Sequence, residues 1–296
     1  MDKPNLPGKR IAITGASSGI GAALTKALAS DGHRLFVCAR RGDRLAEVTE
    51  GGRLAMYRAI DVADETQVAA FAEAVGREAD GLDALLCCAG GYGPIGLSHE
   101  VSGDAWWKAL SINLYGTYLS IKLFVPLLSK GRSARIVTFS GGGAFNPLPN
   151  YSAYAVSKAG VVRLTETIAE ELKPLGIAVN GVAPGFVQTE IHDATLAAGP
   201  EAAGEAFYEM TKAKLRDGAI PMEVPVNCVR FLLSEAASGL TGKTLSASFD
   251  PWGKPEFEKA IAALNASDLY TMRRMNTVNL PADPVAQELA RATGRA

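Results

Sequence analysis

The sequence predicts an α/β fold, a doubly wound parallel sheet with helices on both faces. It occupies about residues 1–250, and a partly helical extension follows over 251–296. Three observations predict it. Short apolar runs alternate with stretches of helical spacing. The runs are continuously apolar, as strands buried on both faces require. The first run passes through a glycine-rich turn straight into the first helix. No internal repeat of fixed period is present.

In chain order, residues 10–14 form the first strand and 20–29 the first helix. Strands follow at 35–38 and 54–60, a helix at 68–75, and a fourth strand at 82–88. A long helical region covers 104–128, strand five 135–139, a further helix 152–172 and strand six 177–182. Residues 184–221 are less regular, with helical pieces broken by Ala-Gly-Pro and Ala-Ala-Gly. A long irregular connection of this kind reads as a lid or substrate loop, set at 186–220. A helix at 223–234 and a last strand at 244–249 complete the sheet, and a helix near 256–264 lies in the polar extension.

Composition narrows the function classes. The chain has 296 residues, 48% of them hydrophobic, enough for one large core. A formal net charge of -1 with dispersed basic residues gives no footprint for nucleic acid. No apolar stretch approaches the roughly 18 residues of a membrane span, and the first ten residues hold no apolar signal segment. The expectation is a cytoplasmic protein with no membrane partner. Cys38, Cys87, Cys88 and Cys228 lack C-x-x-C spacing and read as reduced thiols, mostly in the core. His33, His99 and His192 lack zinc-site spacing, so no catalytic metal is expected.

The turn Thr14-Gly15-Ala16-Ser17-Ser18-Gly19-Ile20-Gly21 has the pattern G-x-x-x-G-x-G. Glycines let backbone approach a pyrophosphate closely, and the following helix presents free N–H groups and a positive dipole end. In a strand–turn–helix context this is a dinucleotide site, with Gly15, Ser17, Ser18, Gly19, Ile20 and Gly21 in contact. The second strand ends Cys38-Ala39-Arg40-Arg41, without the carboxylate that usually holds an NAD ribose. An arginine there pairs with a 2′-phosphate, so NADP(H) is expected rather than NAD(H), with Arg40 the main contact and Arg41 the second. Asp61 and Val62, after strand three, are placed to flank the adenine.

Tyr154 and Lys158 lie four apart, on one face of the helix over 152–172. A phenol titrates near ~10, too high for base chemistry at neutral pH. A nearby ammonium and an oxidised nicotinamide would both favour the phenolate. Tyr154 could then give a proton to a carbonyl oxygen or take one from an alcohol.

With these motifs in place, residues 8–250 resemble the short-chain dehydrogenase/reductase family. The matching pieces are the turn at 14–21, Asp61-Val62, Ala89-Gly90, Asn113, Ser140, Tyr154-x-x-x-Lys158 and Pro184-Gly185. The resemblance implies a Rossmann-type sheet of about seven parallel strands that binds NAD or NADP, and a homodimer or homotetramer acting on a small-molecule carbonyl or alcohol. It implies that Asn113 holds a relay water beside Lys158 and that Lys158 binds the nicotinamide ribose. Pro184, Gly185, Val187 and Thr189 would cover the nicotinamide, with Thr189 at its carboxamide.

Two departures stand out. Cys87-Cys88-Ala89-Gly90 replaces the family's Asn-Asn-Ala-Gly, although Ala89 and Gly90 still permit close backbone approach. The family's substrate-orienting serine falls on Gly141, with Ser140 one position off. Ser140, swung by the neighbouring glycines, is the candidate for that role, and a backbone N–H is its substitute. The leading expectation is hydride transfer between carbonyl and alcohol. The rivals are a non-catalytic NADP-binding regulatory module and an epimerase or dehydratase using the same cofactor site.

Overall fold

The computed structural model describes residues 8–49 and 54–274. Residues 275–296 of the predicted extension lie outside the described residues. The elements run β1 (Arg10–Thr14), α1 (Gly19–Ser30), β2 (Arg34–Ala39), α2 (Gly42–Thr49), β3 (Leu54–Ala59), α3 (Glu65–Glu78) and β4 (Ala84–Cys87). Then come α4 (Gly103–Leu110), a π-helical turn (Ser111–Tyr115), α5 (Gly116–Leu128), β5 (Arg135–Phe139), α6 (Ser152–Leu172) and β6 (Ala178–Ala183). The last are a short 3-10 turn (Glu190–His192), α7 (Asp193–Ala203), α8 (Glu205–Asp217), α9 (Glu223–Leu233), β7 (Thr244–Ser246) and α10 (Pro255–Asn265).

The strands form one parallel seven-stranded sheet in the order β3-β2-β1-β4-β5-β6-β7, the Rossmann-type arrangement expected. Residue alternation divides each central strand between two cores. Ile11, Ile13, Leu35 and Val37 pack with α1 and α9, whereas Ala12, Phe36 and Cys38 pack with α3, α5 and α6. That division explains the continuous apolar runs, since neither face meets water. The order reverses between β1 and β4, so their C-terminal ends open a crevice at a topological switch point, where α/β sheets bind ligands.

Several elements differ from expectation for local reasons. The sequence reading gave no element to α2, which buries Leu45 while most of its other residues are exposed or half-buried. The helical region 104–128 is interrupted by the π turn, which turns Asn113 into the interior. The last strand stops at Ser246, whose N–H meets the Asp250 carboxylate while the Trp252 indole donates to Ser246 and Ala247. The polar composition after 250 marks an extension to the sheet domain. Yet α10 sets Phe257, Ile261 and Leu264 into the main core beside Phe231.

At the sheet end away from the crevice, Asp83 accepts the Arg10 guanidinium at 3.0 and 3.1 Å and the N–H groups of Arg10 and Arg132, each at 2.9 Å. Burial works against this carboxylate, but those four donors outweigh it and hold its pKa at about 2. The folded value lies below the unfolded one, so the stabilisation is present above pH ~4 and is lost as pH falls towards ~2, about 2 kcal/mol in all. Asp83→Asn is expected to lower Tm by several degrees at pH 6, with the gap to wild type shrinking towards pH 3 in thermal melts. A gap independent of pH would contradict this account.

Candidate active site

The crevice is a cleft of about 650 Å³. Its floor begins with the glycine turn. Ser18 at the N-cap of α1 makes no side-chain capping bond, so the first-turn N–H groups remain available to an anion. Gly15 is fixed by contact: at φ +70, a Cβ there would lie 2.5 Å from Ala89 N. Arg40 lines the cleft and makes no ion pair among the described residues, and Val62 lines it as well. Arg41 also lines the cleft but is engaged, donating to Ser18 Oγ at 2.6 Å and pairing with Glu190 at 3.0 Å.

At the other end, α6 presents Tyr154 and Lys158, both buried and both lining the cleft. The Lys158 ammonium donates to the Phe139 carbonyl at 2.8 Å and sits 5.7 Å from the Tyr154 ring centre. Burial pushes the Tyr154 phenol up to about 12 and draws Lys158 down to about 8. The sequence reading expected the ammonium to depress the tyrosine. In the free protein desolvation prevails, because both groups have left water.

Ser140 Oγ is buried at the cleft with no hydrogen-bond partner among the described residues. Strand alternation puts it on the face of Thr138, whose hydroxyl meets Thr165 of α6 at 2.6 Å. At Gly141 a Cβ would lie 2.1 Å from Tyr154 Oη, so in this arrangement the phenol fills the space a serine side chain would need.

Tyr92 packs edge-on to Tyr154 at 4.8 Å and meets His192 Nδ1 at 3.1 Å. His192 Nε2 faces the Val187 carbonyl at 3.1 Å. A carbonyl only accepts, so Nε2 carries the proton and the Tyr92 hydroxyl donates to Nδ1. Burial lowers the His192 pKa and keeps the ring neutral at neutral pH. Phe186, Phe207, Leu148, Ile191 and Met210 make the rest of this wall largely apolar.

A family model described as short chain dehydrogenase matches residues 9–198. The chain belongs to the short-chain dehydrogenase/reductase family. It is 34% identical over 248 residues to a short-chain dehydrogenase/reductase of Armillaria gallica, covering 81% of this chain and 94% of the relative. Among solved structures it resembles levodione reductase (TM-score 0.72, 27% identity, 80% of this chain and 95% of that one). It also resembles NAD+-bound xylitol dehydrogenase (TM-score 0.71, 25% identity, 81% and 97%). As a short-chain dehydrogenase/reductase the chain is an oxidoreductase with a nicotinamide cofactor and a small-molecule substrate.

For this short-chain dehydrogenase/reductase, the structure brings nearly all the predicted site residues to one cleft. The turn residues, Arg40, Arg41, Val62, Ala89, Gly90, Ser140, Tyr154, Lys158, Pro184, Gly185, Val187 and Thr189 all line it. Asp61 does not, because its carboxylate turns back to accept Ala63 N–H at 3.0 Å. Asn113 stands behind the lining. Its amide donates to Gly91 O and Ser157 Oγ and accepts Gly91 N–H, each at 2.9 Å, tying α6 to the loop after β4. Sequence reasoning missed Tyr92 and Glu190 and saw His192 only as a scattered histidine. Their one signal was nearness to Gly90 and Thr189. The segment named as a lid is pinned at its base, where Ile220 N–H donates to Phe186 O at 2.8 Å, and carries α7 and α8. Of its apolar residues, Ile191, Phe207 and Met210 reach the cleft, while Leu196 and Tyr208 do not line it.

Proposed function

We propose that this chain is an NADP(H)-dependent oxidoreductase that interconverts a carbonyl and an alcohol, with Tyr154 as general acid and base. The observation that carries the reading is a shared cleft. The Tyr154 phenol and Lys158 ammonium open onto the same crevice as the glycine turn and the unpaired Arg40. A bound nicotinamide dinucleotide supplies or accepts the hydride. Tyr154, a phenol already protonated at neutral pH and held so more firmly by burial, delivers its proton to the carbonyl oxygen as that oxygen gains charge. In the reverse direction the phenol must first lose that proton, which the Lys158 ammonium and an oxidised cofactor's charge both favour.

Ser140 offers the substrate oxygen a second hydrogen bond. A buried hydroxyl without a partner costs about 1–3 kcal/mol, a cost relieved when a ligand fills the gap. Lys158 holds the nicotinamide ribose, and Thr189 the carboxamide. Asn113 holds a relay water beside Lys158. The aromatic wall of Tyr92, Phe186 and Phe207 suits an apolar or aromatic ketone. One similar structure is named a reductase and another a dehydrogenase, which fits a reaction run in either direction.

The preference for NADP(H) rests on the end of β2, which lacks a carboxylate and places Arg40 on the cleft. The test is a screen of ketones, aldehydes and alcohols that follows NADPH absorbance, with NADH in parallel. Turnover with NADPH favoured is expected, and Arg40→Asp should reduce or reverse that preference at least tenfold. Unchanged preference in Arg40→Asp would refute the phosphate contact. Cofactor binding without turnover on any substrate would favour a non-catalytic NADP-binding module.

A further inference from the structure

Arg40 has no ion pair among the described residues, but Arg41 and Arg44, at the junction of β2 and α2, are engaged. Arg41 Nη1 pairs with Glu190 Oε2 at 3.0 Å, and Arg44 Nη1 pairs with Glu190 Oε1. The other nitrogen of the Arg41 fork donates to Ser18 Oγ, in the phosphate turn, at 2.6 Å. The contact joins the two lips of the cleft across 149 residues of sequence. Glu190 follows Thr189 at the start of the lid segment, and a Cβ added to Gly19 would lie 3.3 Å from Thr189 Cγ2, so this segment rests on the turn. One carboxylate therefore spans two guanidinium forks at the place where β2 lacks its acidic residue.

We propose that Glu190 is an internal anion that occupies the Arg41–Arg44 pair until a cofactor 2′-phosphate displaces it, making Glu190 a determinant of cofactor selection. This rests on the NADP(H) reading above. A phosphate carries more charge than a carboxylate and matches the same planar forks, so it wins the exchange. The exchange is easy because all three side chains are 40–49% exposed, and an exposed ion pair is weakly held. The ribose hydroxyl of an unphosphorylated cofactor carries no charge and leaves the Glu190 clasp in place. Displacement also reaches the substrate wall. Two residues on, His192 stacks on Phe186 at 3.8 Å and holds the Tyr92 hydroxyl.

The test measures binding rather than turnover. Dissociation constants of NADPH, NADH, 2′,5′-ADP and 5′-ADP are measured by calorimetry for wild type, Glu190→Gln and Glu190→Asp. Removing a negative charge helps every anionic ligand at long range, so the readout is the ratio between phosphorylated and unphosphorylated partners. Glu190→Gln is expected to raise the NADPH/NADH and 2′,5′-ADP/5′-ADP affinity ratios about 3–10-fold, and Glu190→Asp to stay near wild type. Equal changes for both members of each pair, or a loss of affinity for both, would overturn the proposal and make Glu190 a strap over the pyrophosphate. A raised ratio in a protein whose wild type still favours NADH would refute the NADP(H) reading and leave the internal anion standing. An unchanged ratio with NADPH favoured throughout would do the reverse.

Discussion

Tyr154→Phe is expected to lower kcat by about 10³-fold or more while leaving NADPH affinity within a few-fold. The substitution removes one oxygen and preserves the ring, and the ring does the packing. It stands edge-on to Tyr92 at 4.8 Å and lies near the Lys158 ammonium, contacts a phenylalanine keeps. What disappears is the proton. The hydroxyl of Ser140 lies at the same cleft, but among the described residues it has no partner that would activate it to take over as the acid. The loss therefore falls on the chemical step, the pattern of an interaction made only in the transition state. Single-turnover oxidation of NADPH, with separate titration of NADPH binding, tests both halves, and retained turnover would sink the assignment. The same burial sets the pH dependence. With the phenol near 12, ketone reduction has its acid in place through the neutral range, whereas alcohol oxidation should quicken as pH rises.

What the sequence disclosed and what it hid follow one physical division. The strands were legible because Ile11, Ala12 and Ile13 are all fully buried, and two-sided burial leaves a continuous apolar mark. The helix α10 was legible from its spacing but not its docking, since nothing local says which surface Phe257 and Ile261 meet. The turn and the Tyr154–Lys158 pair were legible because their chemistry lies within a few residues of chain. The Tyr92–His192 pair, 100 residues apart, and Arg41–Glu190, 149 apart, exist only because the topology brings the lid segment against the loops after β4 and β2. The direction of the Tyr154 shift was equally hidden. It depends on how completely water leaves the phenol, and a motif does not encode that.

Gly21→Ala should abolish measurable dinucleotide binding, raising the NADPH dissociation constant at least 100-fold, and should lower Tm by roughly 5 °C. The added methyl would lie 2.2 Å from the carbonyl oxygen of Gly15 and 2.9 Å from its carbonyl carbon. Both are backbone atoms, so no rotamer change relieves the clash. Gly15 cannot retreat either, being held at φ +70 against the backbone of Ala89. The strain must spread into the turn itself, lifting α1 away from β1 and turning its first N–H groups from the place where they meet the pyrophosphate. Gly103→Ala is the matched control, because a Cβ there meets nothing within 4 Å, and it should leave both quantities unchanged. If Gly21→Ala bound NADPH as wild type does, the turn could not be the phosphate site. The dinucleotide phosphates would then have to be held by other residues of the cleft, with Tyr154 and Lys158 still in place.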